Sequence, residues 1–382
     1  MTAAVVLLVS GILLLYILAG YPLLLGILRR RSSRPVRRGD ATPTVTAIIA
    51  VYNGAPYLGA KLKSLQSLDY PQNRIQIIVA SDGSSDETAA IARGFPGTEV
   101  LELPRGGKCA AQNAAIARAT GEILLLTDVR QTLEPQSLRA LVSNFGDPAV
   151  GVVSGLLKIR SSDSSAAGEI GAYWRYEAWI RDSLSAVDSI FGASGSLYAM
   201  RRELAVPMPE DILCDDMYLP LAAFRRGFRL IVEPQAVMWD YPTDRASEFH
   251  RKVRTLAGNY QLWFHYPWLL TPANRMWLHF LSYKAGRLFL PWLLIAIAVS
   301  TVFLPSPWRE WLAFPQIAIY TLAALHPWLP KPLQRLSSPV RTFVVMMLAA
   351  LAALQILFIP ARRLWKAPGT SSISEQGAAK LK

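Results

Sequence analysis

The sequence predicts an α/β domain with a doubly wound parallel sheet, joined to transmembrane α-helices. Short apolar, β-branched runs alternate with helix-like stretches between residues 43 and 245, and apolar segments long enough to cross a bilayer lie on both sides of that region. Composition agrees, because 52% of the 382 residues are hydrophobic, 18% are charged and the mean hydropathy is +0.25. Such a chain is too apolar for a wholly soluble protein and too charged for membrane helices alone.

The alternation within 43–245 gives the order of the predicted elements. Strands are expected at 44–51, 75–80, 99–103 and 122–127, and helices at 55–68, 86–93, 108–119, 135–145 and 217–226. Strands that alternate with helices in this way are typical of a parallel sheet. Ligands of such sheets bind at the carboxyl ends of the strands, so polar residues at those ends are candidates for a functional site.

The apolar run 3–28 is predicted to be a membrane anchor, within a first segment 1–30. At about 1.5 Å per residue it can cross a hydrocarbon core of about 30 Å. A signal peptide would begin with basic residues, whereas here no Lys or Arg precedes the run and six arginines follow it between positions 29 and 38. This asymmetry favours an uncleaved anchor with the α/β domain in the cytosol, at the inner membrane.

A second membrane region is predicted at 276–362, with spans near 286–304, 312–329 and 340–359. Basic residues on both sides of the last span prefer the cytoplasm, which leaves the number of spans open by one. Residues 246–275 mix cations with aromatics and predict interfacial amphipathic helices, the alternative being a helix packed on the domain. The tail 363–382 is rich in Ser, Gly and Lys and is predicted to be disordered.

We interpret the net charge of +13 as a result of membrane topology, in which Lys and Arg gather on the cytoplasmic side, and of contact with anionic lipid. No basic stripe interleaved with aromatics occurs on the α/β region, so nucleic acid is not expected as a partner. The two cysteines, Cys109 and Cys214, show neither metal-ligand spacing nor a disulfide framework, which fits a reducing cytosol.

Polar residues follow three of the predicted strands. Val51 ends the first strand and Asn53 follows it, and Asp82 lies at the end of the second, where backbone, amide and carboxylate groups suit a nucleobase and ribose. Asp128 ends an apolar strand, and an ionised carboxylate there can bind a divalent cation that bridges a diphosphate. Arg130 can pair with phosphate or with a carboxylate. Ordinary turn and capping roles are the alternatives, since Asn and Asp are common in turns.

Three further motifs complete the candidate site. Gly106 and Gly107 precede Lys108 at a helix start, which favours phosphate, although neither the P-loop nor the GxGxxG pattern is present. Two adjacent carboxylates, Asp215 and Asp216, repel each other, so one can keep a raised pKa and act as a general base, the alternative being helix capping. The small-residue loop 192–196 allows close approach of a ligand, or is simply a flexible turn.

Taken in order, these motifs resemble the family 2 inverting glycosyltransferases, which have a GT-A fold and membrane helices and include hyaluronan, chitin and cellulose synthases. The resemblance spans about residues 43–265. It implies a nucleotide-diphospho-sugar donor, UDP- or GDP-linked, and a Mg²⁺ or Mn²⁺ ion. The residues it implies, besides Asp216 as catalytic base, are the donor residues Val51, Asn53, Asp82, Lys108, Arg130 and Arg254, the metal ligand Asp128, and the acceptor residues Gly192, Ala193, Ser194, Gly195, Asp215, Asn259 and Gln261.

The sequence departs from the family pattern at two places. The usual Asp-x-Asp metal motif reads Asp128-Val129-Arg130, so one carboxylate is missing and Arg130 is expected to take part of the charge neutralisation. The usual Gln-x-x-Arg-Trp of processive synthases reads 251–255 here, with Arg254 retained and Thr255 in place of the tryptophan. The resemblance therefore leaves two outcomes open, processive polymerisation and single transfer to a lipid-linked acceptor.

The expected activity is sugar transfer with inversion to a polysaccharide or glycolipid hydroxyl in cell-envelope or exopolysaccharide synthesis. The few spans suggest a homodimer if the membrane part forms a channel. A rival of another class is a nucleotide-sensing membrane scaffold or transporter without catalysis. Against it, no charged residue lies in the middle of 3–28 or 340–359, where charge would mark an ion pathway.

Overall fold

An eight-stranded sheet forms the centre of the α/β domain. The computed structural model describes residues 1–159, 166–240 and 245–364. The sheet has the order β3-β2-β1-β4-β7-β6-β8-β5. Its strands are β1 (Val45–Val51), β2 (Ile75–Asp82), β3 (Thr98–Leu103), β4 (Ile123–Thr127), β5 (Thr132–Leu133), β6 (Val150–Ile159), β7 (Leu197–Arg201) and β8 (Arg229–Asp240).

The first four strands are parallel, as predicted, and the predicted fold class is confirmed. The whole sheet is mixed, because β7 runs antiparallel to both β4 and β6. The loop 192–196 lies at the carboxyl edge of β4, so the chain enters β7 from that edge and runs back along β4, with Thr127 paired to Leu197. The sequence pattern did not reveal this reversal, since no strand after residue 127 was predicted.

Helices cover both faces of the sheet and form a separate apolar layer. The helices are α1 (Thr2–Leu15), α2 (Tyr21–Arg31), α3 (Ala55–Gln66), α4 (Thr88–Arg93), α5 (Lys108–Arg118), α6 (Ser137–Ser143), α7 (Ala166–Val187), α8 (Asp215–Arg225), α9 (Arg245–His265), α10 (Trp277–Phe280), α11 (Gly286–Val302), α12 (Trp308–Leu325) and α13 (Lys331–Ala352). Two buried clusters fill the domain, one on each face of the sheet, as expected of doubly wound packing.

Three helical segments of the described chain are long and apolar enough to cross a membrane: Thr2–Arg31, Trp277–Val302 and Ser337–Leu357. They correspond to three of the four predicted spans. The fourth predicted span, 312–329, overlaps α12, which does not reach that apolarity because its first turn carries Arg309 and Glu310 and its middle carries Gln316. The structure therefore has one candidate span fewer than the sequence predicted.

Helix α9 occupies most of the segment that the sequence assigned to the membrane interface. Its apolar residues Val253, Leu256, Ala257 and Tyr260 are buried, and α9 packs against α13. This burial supports the alternative of a helix packed on the domain, while contact with a lipid surface stays a prediction. Of the predicted disordered tail 363–382, residues 365–382 lie outside the described residues.

Candidate active site

The carboxyl edge of β1, β2 and β4, called the cleft below, is where the sequence predicted a ligand site. A continuous series of side-chain contacts extends along this edge. Asp82 binds the backbone of residues 106 and 107, the next residue, Lys108, binds Asp128 and Asp215, and Asp216 follows. The structure thus brings the predicted donor, metal and base residues to a single edge of the sheet.

Asp82 holds the loop that precedes α5. Its Oδ1 accepts hydrogen bonds from the backbone N–H of Gly106 at 2.7 Å and of Gly107 at 2.9 Å, and its Oδ2 pairs with Arg105. The Arg105 guanidinium also lies over the Tyr52 ring, 3.6 Å from its centroid. Gly83 has a φ of +65° and stands so close to Arg105 that a Cβ would lie 2.9 Å from its backbone nitrogen. Asp82 therefore fixes the conformation of the 105–107 segment, and its contact with a donor stays a prediction.

Val51 and Asn53 lie at the end of β1. Val51 is buried as a whole residue, so contact of its backbone with a ligand stays a prediction. Asn53 adopts a positive φ of +48°, and its Oδ1 accepts a hydrogen bond from Ser85 N at 2.9 Å, while its backbone N–H donates to Ser84 Oγ at 3.1 Å. Asn53 thus performs the turn role that the sequence left open, and it joins the β1 and β2 loops.

Lys108 lies at the centre of an acidic cluster. It is the first residue of α5, as predicted, and its Nζ is 2.9 Å from Asp128 Oδ1 and 3.1 Å from Asp215 Oδ2. Burial opposes its charge, but Asp128 and Asp215 outweigh burial and raise the pKa of Lys108 above its ordinary range. Gln112, one turn along α5, donates to Asp215 Oδ2 at 2.9 Å. Two donors therefore converge on Asp215 Oδ2, and the role of Asp216 as the base of the pair stays a prediction.

Asp216 has the electrostatic character of a base. Burial and the neighbouring Asp215 carboxylate raise the pKa of Asp216 to about 6, since both disfavour the charged form. It lies in the first turn of α8, and its Oδ2 would be 3.0 Å from a Cβ placed on Gly195. Its own carbonyl accepts the Ala193 N–H at 2.7 Å. A carboxylate near neutral pKa beside a small-residue loop is suited to accept a proton from a hydroxyl.

The loop 192–196 is held at both ends. The Ser194 N–H donates to Ser154 Oγ at 2.9 Å, and Thr127 Oγ1 donates to the Ser196 carbonyl at 2.7 Å. A side chain on Gly192 would collide with Met217, because its Cβ would be 2.6 Å from Met217 Cγ. Small residues are therefore required for α8 to approach the loop, and the loop is an ordered wall of the cleft.

Arg130 pairs with a carboxylate that the sequence analysis did not single out. Its guanidinium contacts Asp240 Oδ2, and Gln131 Nε2 donates to the same oxygen at 2.9 Å. Asp240 is buried at the end of β8, the position at which Asp82 and Asp128 end their own strands. The same strand-end reasoning would have identified it. In this structure the positive charge of Arg130 is therefore paired with the Asp240 carboxylate.

Lys61 is a second residue that the sequence analysis missed. It is fully buried in α3, and its Nζ donates to Thr127 Oγ1 at 2.6 Å and to the Gln131 carbonyl at 2.7 Å. Burial lowers the pKa of Lys61 to about 7, against the attraction of nearby Asp128. A signal existed, because Leu58, Lys61, Leu62 and Leu65 share one face of the helix by their spacing.

Residues of helix α9 contact the segment that leads into α8, which carries Asp216. Gln261 accepts from Leu213 N at 3.0 Å and donates to the Asp211 carbonyl at 2.8 Å, so it holds the segment leading into α8. Asn259 donates to the Thr255 carbonyl at 3.2 Å. Arg254 lies within electrostatic range of the Cys214 thiol, next to the acidic pair. The structure therefore uses Gln261 and Asn259 for positioning, and contact with an acceptor stays a prediction for both.

The cleft offers a divalent cation few protein ligands. Among residues 1–159, 166–240 and 245–364, no group of three or more His, Cys, Asp or Glu is arranged to hold a metal. Asp128 is partly exposed and offers one carboxylate, with Asp215 across Lys108. Mg²⁺ is commonly bound by one or two carboxylates completed by substrate phosphates, so this donor set fits a cation held jointly with a diphosphate.

Comparison with known sequences identifies the domain. Residues 46–206 match the model of glycosyl transferase family 2. This stretch of the α/β domain is similar to the glycosyl transferase family 2 domain. A poly-beta-1,6-N-acetyl-D-glucosamine synthase from Staphylococcus epidermidis is 25% identical over 252 residues, covering 63% of this chain and 60% of that protein. A beta-monoglucosyldiacylglycerol synthase from a Synechocystis strain is 25% identical over 259 residues, covering 62% and 53%.

The fold is also that of a solved structure. The mannosyltransferase PcManGT from Pyrobaculum calidifontis, in complex with GDP-Man and Mn²⁺, superposes with a TM-score of 0.72 at 24% identity, covering 92% of this chain and 99% of that one. This similarity confirms the GT-A fold. The chain spans only about half to three fifths of the length of the curated relatives above.

Proposed function

We propose that this protein is an inverting hexosyltransferase that moves a sugar from a nucleotide-diphospho-sugar to a hydroxyl of a polysaccharide or glycolipid acceptor. The observation that supports this proposal is the pair Lys108 and Asp216. The Lys108 ammonium, which is suited to bind a diphosphate, contacts Asp128 and Asp215, and the next residue along the chain is Asp216, whose pKa is about 6. The matched family 2 domain makes a transferase the expected reaction class.

The residues divide between the leaving group and the nucleophile. Lys108, with Arg254 near the acidic pair, neutralises charge that develops on the departing diphosphate, and such stabilisation is often the largest catalytic contribution. Asp216 accepts the proton of the acceptor hydroxyl, whose oxygen attacks the anomeric carbon as the bond to the diphosphate breaks. One base is sufficient for this displacement, so inversion follows without a covalent intermediate. Gly192, Ala193, Ser194 and Gly195 line the acceptor side.

A divalent cation, Mg²⁺ or Mn²⁺, is part of the proposal. Asp128 would hold it, and the bound ion would supply further charge neutralisation at the diphosphate. The donor's nucleoside would lie at the backbone of Val51 and beside Asn53 and Asp82. UDP- and GDP-linked sugars are the candidate donors.

The acceptor and the product follow from the membrane context. Three apolar helical segments support a protein of the cytoplasmic membrane whose domain faces the cytosol, in cell-envelope or exopolysaccharide synthesis. The mechanism is the same for processive polymerisation and for single transfer to a lipid-linked acceptor. Thr255 favours single transfer, because it lacks the aromatic surface that stacks on a sugar. A homodimer remains part of the proposal if a polymer is threaded outward.

The test uses Asp216→Asn, which keeps the shape of the side chain but cannot accept a proton. Full-length wild type and variant, in detergent, receive a panel of nucleotide sugars with membrane lipids and oligosaccharides as acceptors. We expect the variant to bind donor as wild type does and to lose sugar transfer. Transfer at the wild-type rate would remove Asp216 as the base. If the wild type transfers no sugar from any donor in a broad panel, the result would favour the nucleotide-sensing scaffold or transporter.

A further inference from the structure

Three basic side chains gather where the membrane helices meet the acceptor side of the cleft. Lys284 lies in the apolar segment Trp277–Val302, and its Nζ is 3.8 Å from Met217 Sδ, the residue after Asp216. Arg287 lies one turn further along, and Arg181 projects from α7 within electrostatic range of Lys284. The cations therefore stand between the bilayer side of the protein and the proposed base.

The described contacts of these side chains include one carboxylate, that of Glu177. Glu177 pairs with Arg287 at 2.5 Å and accepts a hydrogen bond from the Tyr283 hydroxyl. Arg181 donates to the uncharged Ser154 Oγ at 3.1 Å. Within the described residues, the Lys284 ammonium contacts the Met217 sulfur and pairs with no carboxylate at salt-bridge distance.

Asp216 is the other acid within electrostatic range of Lys284. A pKa of about 6 leaves Asp216 largely ionised at neutral pH, but among the described residues it is not within salt-bridge distance of Lys284, and the proposed mechanism assigns it to the reaction. Among the described side chains, Glu177 is the one carboxylate that pairs directly with a member of this cationic group, and its partner is Arg287.

The backbone at this point departs from a regular helix. Residues Leu281–Ala285, which carry Lys284, form a π-helical turn, and the facing segment Tyr16–Gly20 forms another. Tyr16 and Ser282 join the two turns by a hydrogen bond of 2.8 Å, and Gly286 packs against Ile17. π-helical turns are frequent at functional sites, because they redirect side chains within an otherwise regular helix. Here the turn lies where Lys284 reaches Met217.

We propose that Lys284, flanked by Arg181 and Arg287, binds the phosphate group of a membrane-anchored acceptor. This proposal rests on the proposed function and specifies its acceptor. A charged side chain in a membrane-facing helix is costly unless it has a partner, and such residues usually mark functional sites. Phosphate is an anion that membrane lipids carry, and it pairs well with ammonium and guanidinium groups. Binding there would direct an attached hydroxyl toward Asp216.

Two sources can supply a lipid phosphate: the headgroup of an ordinary phospholipid, or a phosphate that joins the acceptor to its lipid. Both present the same anion to Lys284. Phosphatidylglycerol represents the first source, and dodecyl phosphate, a simple lipid monoester, represents the second. Inorganic phosphate tests whether the anion alone is enough without a membrane anchor.

The experiment measures binding of these three probes to the full chain in neutral detergent by native mass spectrometry, without donor. The variants are Lys284→Met and Lys284→Arg, and Lys331→Met is a matched control at an exposed lysine that begins α13. Charge-assisted hydrogen bonds contribute about 1.5–3 kcal/mol, so Lys284→Met should weaken lipid-phosphate binding at least about tenfold. Lys284→Arg and Lys331→Met should bind as wild type does.

Lipid-phosphate binding that depends on Lys284 supports the proposal, and the preferred probe identifies the source. Equal affinity of Lys284→Met and wild type for both lipids would overturn it, as would binding of inorganic phosphate as tight as that of the lipids. Melting curves of all variants show whether they are folded, and Lys284→Arg tests the charge if Lys284→Met is not. Because no donor is present, the result is independent of turnover, which the Asp216→Asn test addresses.

Discussion

The buried Lys61 makes stability depend on pH in a way that can be measured. Its ammonium joins the two ends of the segment 127–131 by hydrogen bonds to Thr127 Oγ1 and the Gln131 carbonyl. Burial lowers its pKa from 10.5 to about 7. Between these values the unfolded chain binds a proton at Lys61 that the folded protein does not bind. The free energy of unfolding therefore rises with pH across this window, and the full cost of the buried charge is present below it.

The magnitude follows from linkage. Each pH unit well inside the window adds about 1.4 kcal/mol to the free energy of unfolding. Near pH 7 the folded lysine is about half protonated, so the gain between about pH 7 and pH 9 is about 2 kcal/mol. For a domain of this size, 1 kcal/mol corresponds to about 2–4 °C in Tm, so the expected change is about 4–8 °C. Lys61→Met removes the titrating group and should remove this part of the pH dependence.

The assay is thermal unfolding of the full chain in detergent at both pH values, for wild type, Lys61→Met and Lys63→Met. Lys63 is exposed on the same helix, so its variant reports the effect of removing an unburied lysine. The quantity compared is the change in Tm between the two pH values, which cancels any constant effect of a substitution. If Lys61→Met shows the same change as Lys63→Met, Lys61 does not titrate in this window and the argument from burial is wrong.

Three further predictions concern the base and its surroundings. Gly258→Ala should lower stability by about 1–3 kcal/mol and reduce turnover, because its Cβ would be 2.3 Å from Cys214 Sγ; adding Cys214→Ala should restore both, as measured by Tm and kcat. The kcat should fall about tenfold per pH unit below about pH 6, since protonated Asp216 cannot act as a base, and a flat profile would contradict this. Asp128→Ala should raise the donor KM and abolish its sensitivity to chelators, whereas unchanged sensitivity would place the metal elsewhere.

The fold was predictable where local pattern and tertiary structure agree. The strands ending at Val51, Asp82 and Thr127 have largely apolar sequences, and helices α3, α4 and α5 lie between the first four strands along the chain, so their parallel pairing could be predicted from the order alone. The reversal at β7 could not, because a five-residue strand after a small-residue loop has no periodic signal of direction. Contact with β4 across 70 residues of sequence decides it, as the pairing of Thr127 with Leu197 shows.

The positions of the candidate site residues at strand ends and helix starts were predictable. The hydrogen-bond partners of their side chains were less predictable. Lys108 and Asp216 lie at helix starts beside a cleft, as expected. In the structure, Asp82 accepts hydrogen bonds from the backbone of the 106–107 loop, and Gln261 binds the segment before α8. Both are buried polar groups, which need hydrogen-bond partners. Sequence spacing places a residue on an element but does not say which of several donors within reach it will bind.

The altered metal motif makes sense once its neighbours are considered together. In the sequence, Arg130 replaces a carboxylate and adds a positive charge near a site for phosphate. In the structure Asp240 pairs with that charge, Gln131 shares the same oxygen, and Lys61 holds the segment from below. The segment is therefore fixed by contacts on both sides of Asp128, and its carboxylate is held in place without a second acid. A lone carboxylate on a rigid segment beside Lys108 can serve a cation that the diphosphate completes, which is why loss of the Asp-x-Asp pattern is compatible with a donor site here.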